Sequence, residues 1–372
     1  MSKNRREFLK ASVLGGAAVA AGLPKISSAG EEKTQSKPLD LLVLGGTGFI
    51  GPHMVREALR RGHNVTLFNR GRTNSTLFPD LETIKGDRAG DLEALENRRW
   101  DAVVDNSGYM PQYVRNSART LSPNIGRYLF ISSISAYESF AQPINEDSPL
   151  ATMEDENAQE FSWDYYGALK VRCEKRAAEE IGGDRLTVLR PTYICGPGDH
   201  TDRFTYWPVR TQKGGEMLWA GTPAAEIQII DVRDLANFVV DCVEQQISGI
   251  YNMVTPVGSY TMGKCLEDSQ AVLAASVDPV WVDDAFVEEQ NARAEGALPI
   301  WHPSTGQFAH VSSVNGERAR AAGLRNRPVR ETIRDLMTWW DTLPEERITN
   351  AGFGMTAERE AELIAAWKAA NS

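Results

Sequence analysis

Tyr166 and Lys170 stand four residues apart in Tyr166-Gly167-Ala168-Leu169-Lys170, a spacing that puts both side chains on one face of a helix. A phenol ionises near pH ~10, and a neighbouring ammonium favours the phenolate. The pair is therefore expected to exchange a proton with a substrate hydroxyl near neutrality. Upstream, Ser132-Ser133-Ile134-Ser135-Ala136-Tyr137 follows an apolar run. Ser133 is expected to hydrogen-bond the same substrate oxygen and fix it for hydride transfer.

Hydride transfer requires a carrier, and the start of the folded chain offers a place for one. Leu41-Leu42-Val43-Leu44-Gly45-Gly46-Thr47-Gly48-Phe49-Ile50-Gly51 reads as strand, glycine turn and helix start. Gly45 permits the tight turn, Gly48 lets backbone N–H groups approach a pyrophosphate, and Gly51 lets the helix pack close to the sheet. Thr47, Phe49 and Ile50 complete this predicted dinucleotide cradle. Lys170 would also hold the nicotinamide ribose. At the end of the second strand an acidic residue would bond the adenosine ribose and repel a 2′-phosphate; here stand Asn69, Arg70 and Arg72, so NADP is favoured over NAD. Asp87 and Arg88, just past the third strand, lie where an adenine amino group could be read.

The elements that must position these residues alternate. Short apolar runs at Leu41–Leu44, Asn64–Phe68, Thr83–Ile84, Ala102–Asp105, Tyr128–Ser132 and Leu186–Leu189 are interleaved with helical patterns from Phe49 to about Arg61, near Asp91–Glu96 and at about Tyr165–Ile181. Repeated strand and helix imply an α/β fold, a Rossmann-type doubly wound parallel sheet with a smaller, interleaved C-terminal substrate domain. The expected division is a dinucleotide-binding domain over 39–190, completed by about 226–254 through Ile227–Ile230 and Val232–Gln245. Substrate-binding parts cover 191–225 and 255–343, and a tail over 344–372 carries a docking helix. Thr356 would cap that helix, with Leu363, Ile364 and Trp367 on one face. Gly258-Ser259-Tyr260-Thr261-Met262-Gly263-Lys264-Cys265 almost spells a phosphate loop but has Cys where a magnesium-binding hydroxyl belongs, so Thr261 reads as an N-cap.

Composition sets the outer limits. The chain has 372 residues, 40 Lys+Arg against 50 Asp+Glu, 42% apolar and 24% charged residues, as an ordinary globular protein does. The acidic balance argues against nucleic acid as a partner and leaves a small-molecule substrate. Four cysteines show no metal-ligand spacing, so no metal is expected. Basic residues gather at the start, where Asn4-Arg5-Arg6-Glu7-Phe8-Leu9-Lys10 precedes the apolar Ala11–Leu23 and then Ser27-Ser28-Ala29-Gly30. That order is the one of an export signal, too short to span a bilayer. Its paired arginines resemble a twin-arginine signal over 1–29, with the translocation machinery as partner and cleavage near Ala29. A flexible lead over 30–38 follows, and the mature protein is expected to be soluble in the periplasm or outside the cell.

The glycine turn, the serine strand and the tyrosine helix, in that order, resemble the extended short-chain dehydrogenase/reductase superfamily, in its NAD-dependent epimerase/dehydratase group. Similar pieces are Pro143–Pro149, Leu189-Arg190-Pro191-Thr192-Tyr193 with Gly196-Pro197-Gly198-Asp199, and Ile230–Leu235. The resemblance implies that the segment from Pro191 lies along the nicotinamide, that Tyr193 and the residues from Gly196 onward begin the substrate part, and that two copies pair as a homodimer. Ile134-Ser135 stands where 4,6-dehydratases of this kind carry an Asp-Glu pair, which disfavours water elimination. Glu226-Ile227-Gln228 replaces the arginine by which related epimerases clamp a nucleotide sugar. Arg203, Trp207 and Arg210 are expected to supply stacking and guanidinium groups to the pocket instead.

A substrate of the twin-arginine route typically crosses already folded, so the dinucleotide would be loaded beforehand and regenerated within each cycle. Epimerisation, or a paired oxidation and reduction, follows from that. The alternatives are an NADPH-dependent reductase of a phenolic or small carbonyl compound and a non-catalytic member that binds NAD(P) or RNA.

Overall fold

The computed structural model describes residues 37–153, 160–293, 296–351 and 354–372. The expected signal over 1–29 and nearly all of the lead over 30–38 lie outside the described residues. In chain order the strands are β1 Asp40–Leu44, β2 Asn64–Asn69, β3 Thr83–Lys85, β4 Trp100–Asp105, β5 Ile125–Ile131, β6 Leu186–Pro191, β7 Tyr193–Cys195, β8 Gly215–Ala220, β9 Ile229–Asp231, β10 Gly249–Met253 and β11 Val277–Val282. The helices are α1 Gly51–Arg60, α2 Pro111–Leu121, α3 Tyr166–Ile181, α4 Tyr206–Gln212, α5 Val232–Glu244, α6 Met262–Leu273, α7 Asp284–Glu289, α8 Glu317–Ala321, α9 Val329–Trp340, α10 Glu345–Thr349 and α11 Ala357–Ala370.

Seven strands form one sheet in the order β10-β6-β5-β4-β1-β2-β3, every pair parallel. Buried on both faces, its strands read as apolar runs: in β6 every residue is buried, and in β1 all but Asp40. One face packs on α1 and α5 through Met54, Val55, Phe238 and Val239. The other packs on α2 and α3 through Val114, Ala118, Cys173 and Ala177. Strand order reverses between β1 and β4, and in such sheets ligands lie in the crevice outside the carboxyl ends at that switch.

Two sequence expectations need correction. The helix expected near Asp91–Glu96 is a single 3-10 turn, Glu93–Leu95, because Asn97 adopts φ 60° and turns the chain into β4. The run at Ile227–Ile230 does not extend the central sheet. Its core, β9, pairs with β7, and the place beside β6 is taken by β10 with Tyr251 opposite Leu189.

The rest of the chain builds its own core around Trp207, Trp219, Trp301, Leu336, Trp340 and Leu363. Trp207 and Trp219 meet with ring centroids 4.6 Å apart. Thr356 caps α11 by accepting from Arg359 N at 3.2 Å, and Leu363 and Ile364 are buried in this core with Trp367 against it. Thr261 likewise caps α6.

Candidate functional site

The loops at the carboxyl ends of β1 to β6 hold most of the predicted residues. Gly45 and Gly46 take φ +107° and +90°, which a side chain would strain. A Cβ on Gly45 would meet Asn106 Oδ1 at 2.3 Å, and one on Gly51 would meet the Gly46 backbone at 2.5 Å. Gly51 therefore lets α1 start against the turn. Gly48 is exposed and a Cβ there would touch nothing within 4 Å. The start of α1 has no side-chain cap at Ile50, and Pro52 brings no N–H. An open, side-chain-free approach thus meets uncapped N–H groups at the positive end of a helix, which fits a pyrophosphate. Thr47 is buried, its carbonyl accepting from Asn74 Nδ2 at 2.9 Å. Phe49 stands beside the turn, its ring edge-on to His53 and His200.

At the end of β2, Asn69 folds back: its Oδ1 accepts from Gly71 N at 2.8 Å. Arg70 and Arg72 are exposed. Asp87 is half-buried and braces its own turn through Ala89 N at 3.0 Å. Arg88 departs from expectation. Its guanidinium is buried and bidentate on Asp105 at 2.7 and 2.6 Å, with Ser117 at 2.7 Å and Tyr128 Oη on the same carboxylate. Asp105, buried in the sheet, needs that partner, so the pair braces the β4 edge.

At the end of β5, Ser133 caps a 3-10 turn, its Oγ accepting from Ser135 N at 3.1 Å, and its side chain reaches Tyr166. Tyr166 opens α3. Gly167 allows that approach, since a Cβ there would fall 2.0 Å from the Ser135 carbonyl. Lys170 is buried, and its Nζ donates to Gly108 O at 2.8 Å and Ile131 O at 2.7 Å, above the Phe130 ring. The lowered phenol expected from Lys170 is not what this geometry gives. Burial, then the neighbouring Tyr109, pushes Tyr166 up to about 12, while the Ser133 hydrogen bond and the Arg203 charge pull the other way. Burial also pulls the Lys170 ammonium down.

Residues that the motifs did not flag surround this centre. Tyr109, Phe161 and Trp163 form an aromatic lip about Tyr166, with centroids 6.4, 6.5 and 5.5 Å from its ring. Trp163 is 74% exposed. The readable signal was Phe161-Ser162-Trp163-Asp164-Tyr165 immediately ahead of the tyrosine helix, too many large rings for a polar connection. Beneath the centre, Glu174, one turn beyond Lys170, accepts from Ser132 Oγ and pairs with the fully buried Arg190 at 2.6 Å. That network ties α3 to the ends of β5 and β6.

Of the predicted substrate residues, two stand together. Pro191 ends β6 buried, two residues before Tyr193, and the Arg203 guanidinium lies 4.9 Å over the Tyr193 ring. The other two are elsewhere. Trp207 is fully buried, its Nε1 on Pro299 O at 3.0 Å. Arg210 donates to Glu360 at 2.6 Å and to the carbonyls of Gly214 and Glu216, fastening α11 to β8. Both belong to the core of α4, because one face of that short helix must be covered.

A family model described as the NAD dependent epimerase/dehydratase family matches residues 41–253. Among curated proteins, the chain is 28% identical over 241 residues to the epimerase family protein SDR39U1 of Bos taurus, covering 59% of this chain and 76% of that one. It is 27% identical over 216 residues to the chloroplast stem-loop binding protein of 41 kDa b of Arabidopsis thaliana, covering 53% of each. Among solved structures, the Bordetella bronchiseptica enzyme WbmG in complex with NAD and UDP superposes with TM-score 0.60 at 16% identity, over 87% of this chain and 100% of that one. At that identity the likeness is one of fold.

Proposed function

Since the chain belongs to the NAD dependent epimerase/dehydratase family, we propose that it is an NAD(P)-dependent oxidoreductase or epimerase acting on a hydroxyl or carbonyl of a sugar-like substrate. The carrying observation is the convergence, on one sheet edge, of an uncapped glycine turn open at Gly48 with Ser133 and Tyr166.

When bound, an oxidised dinucleotide supplies a hydride acceptor and a positive charge. Everything else falls to the protein. The turn Gly45–Gly51 would hold the pyrophosphate, and Arg70 and Arg72, exposed beside an Asn69 that is folded away, support a 2′-phosphate and hence NADP. Tyr166 would act as the phenolate in oxidation, a form that the positive charge of an oxidised dinucleotide beside it would favour against burial. It takes the proton from the reacting hydroxyl to become the phenol, which returns that proton in reduction. Ser133 Oγ holds the same oxygen; its proton, which Ser135 Oγ takes at 3.1 Å, is the one a substrate oxygen would draw. Lys170, neutralising carbonyls at the ends of β4 and β5, keeps that edge shaped and positive. The aromatic lip excludes water from one side and offers ring faces to a sugar.

The Arg5-Arg6 start supports export of the folded protein by the twin-arginine route, with the dinucleotide retained and turned over within each cycle. Replacing Tyr166 by Phe tests the reading. Turnover is expected to fall by about 10²- to 10⁴-fold with bound dinucleotide unchanged; unchanged turnover removes Tyr166 from the proton transfer, and no turnover in the parent protein favours a binding protein.

A further inference from the structure

After β7 the chain does not leave the sheet edge freely. Asp199 N donates to Gly196 O at 3.1 Å, closing residues 196–199 into a tight turn with Gly196 and Gly198 at φ +121° and +91°. That turn rests on the start of α1. His53, in the first turn of α1, has its Nε2 2.8 Å from Pro197 O. A carbonyl can only accept, so Nε2 carries the proton and donates. Burial, working against the Pro197 bond, holds this imidazole below its ordinary range and so neutral at neutral pH. Phe49, in the glycine turn itself, meets both partners. Its ring is edge-on to His53 at 6.4 Å and to His200 at 6.0 Å, and a Cβ on Gly198 would lie 3.5 Å from it.

From there hydrogen bonds run on toward the site. Asp199 Oδ1 accepts from Thr201 N at 2.8 Å and from Thr201 Oγ1 at 2.6 Å, and that Oγ1 accepts from Arg203 Nε at 3.1 Å. Arg203 lies over Tyr193, and its charge reaches Tyr166. Residues 196–203 thus form a strap, bonded to α1 through His53 at one end and holding Arg203 at the other. The proton transfer at Tyr166 makes no use of His53. Anion-binding N–H groups, however, serve best when they are held in place beforehand, because a loose turn must be ordered at every binding event. Phe49 is the side chain through which the strap can hold the turn: with the strap down its ring is covered by His200 and Gly198, and with the strap lifted it loses both.

We propose that His53 is a positioning residue: by binding Pro197 it fastens the strap 196–203 onto Phe49, and so sets how rigidly the glycine turn is held and how slowly a bound dinucleotide leaves. This rests on the reading of a dinucleotide at that turn, but half of its test needs none. Hydrogen exchange of the mature protein without added nucleotide, followed by mass spectrometry over peptides spanning 196–203, reads the fastening. His53→Leu keeps an apolar side chain and removes the donor. It is expected to speed exchange in the strap about three- to tenfold, the worth of one hydrogen bond, with β1 and β6 as in the parent. His53→Gln, whose amide nitrogen reaches about as far as Nε2, restores the parent rate to within about twofold; His53→Asn, one bond shorter, does not.

For the dinucleotide, protein loaded with NADPH or NADH is chased with excess NADP or NAD while the fluorescence of the bound nucleotide is recorded. Release is expected to be about three- to tenfold faster in His53→Leu and close to the parent rate in His53→Gln. Unchanged exchange in His53→Leu, equal acceleration in β1 and β6, or a His53→Gln that behaves as His53→Leu each overturns the proposal. A parent that takes up neither nucleotide overturns the dinucleotide role together with the oxidoreductase reading. A parent that takes one up and releases it at the rate of His53→Leu overturns this proposal alone.

Discussion

Arg203 and Arg210 sit seven residues apart in one aromatic stretch, Asp202-Arg203-Phe204-Thr205-Tyr206-Trp207-Pro208-Val209-Arg210, and end in opposite surroundings. Arg203 lies over Tyr193 and donates to Thr201 Oγ1 at 3.1 Å, and its charge is felt by Tyr166. Arg210 has three acceptors on β8 and α11 and works as a fastener. The same residue type thus lies beside the candidate site at one end and packs at the other. What separates them is the start of α4 at Tyr206: before it the chain runs along the site, and after it a helix must bury a face.

The strongest way to break that contrast is to remove each guanidinium. Arg210→Met leaves Glu360, a buried carboxylate, without its partner and is expected to cost about 3–5 kcal/mol of stability, with turnover per folded molecule retained. Arg203→Met is expected to leave the denaturation midpoint in place and lower kcat/KM, because it removes a charge that favours the ionised phenol of Tyr166. Urea unfolding and steady-state kinetics on both variants decide it; a reversed pattern would dissolve the distinction.

Acid sharpens the comparison at the Tyr193 end. His302, its Nε2 2.7 Å from Tyr193 Oη, is held near 4 in the folded protein by burial and then the Arg293 charge, against about 6.5 when unfolded, so its neutral form stabilises the fold fully above pH 6.5. That contribution, on the order of 3 kcal/mol, is lost as pH falls from 6.5 to 4. Urea midpoints should therefore drop more steeply over this window than in His302→Gln. Equal slopes would mean that the imidazole is not buried in its neutral form.

The same division between packing and openness recurs on a smaller scale in the glycine turn. Gly51→Ala, with backbone 2.5 Å from the new methyl, is expected to lose about 1–3 kcal/mol. Gly48→Ala should fold normally and bind dinucleotide more weakly, by calorimetry. Equal stabilities of the two variants would contradict the close approach of α1 to the turn.

These contrasts mark how far the sequence could be read. Strand, turn and helix at Leu41–Gly51 and the helix beginning near Tyr166 were legible because glycine placement and apolar runs are local signals. Arg88 was not, since its partner Asp105 comes from another strand and only the folded sheet shows that the carboxylate is buried. Lys170 lies four residues after Tyr166 in α3, yet its ammonium is drawn to the carbonyls of Gly108 and Ile131, which no spacing within α3 reveals. Tyr193, His302 and Arg293 meet across more than ninety residues of chain, and no pattern in the sequence joins them.

The account stands on a dinucleotide held over Gly48 beside Tyr166. Mass spectrometry of nucleotides released on denaturing the purified mature protein tests it most directly, followed by titration with NADP and NAD. About one equivalent of dinucleotide, or tight uptake of added NADP, is the predicted result; a protein that releases none and binds neither would contradict it.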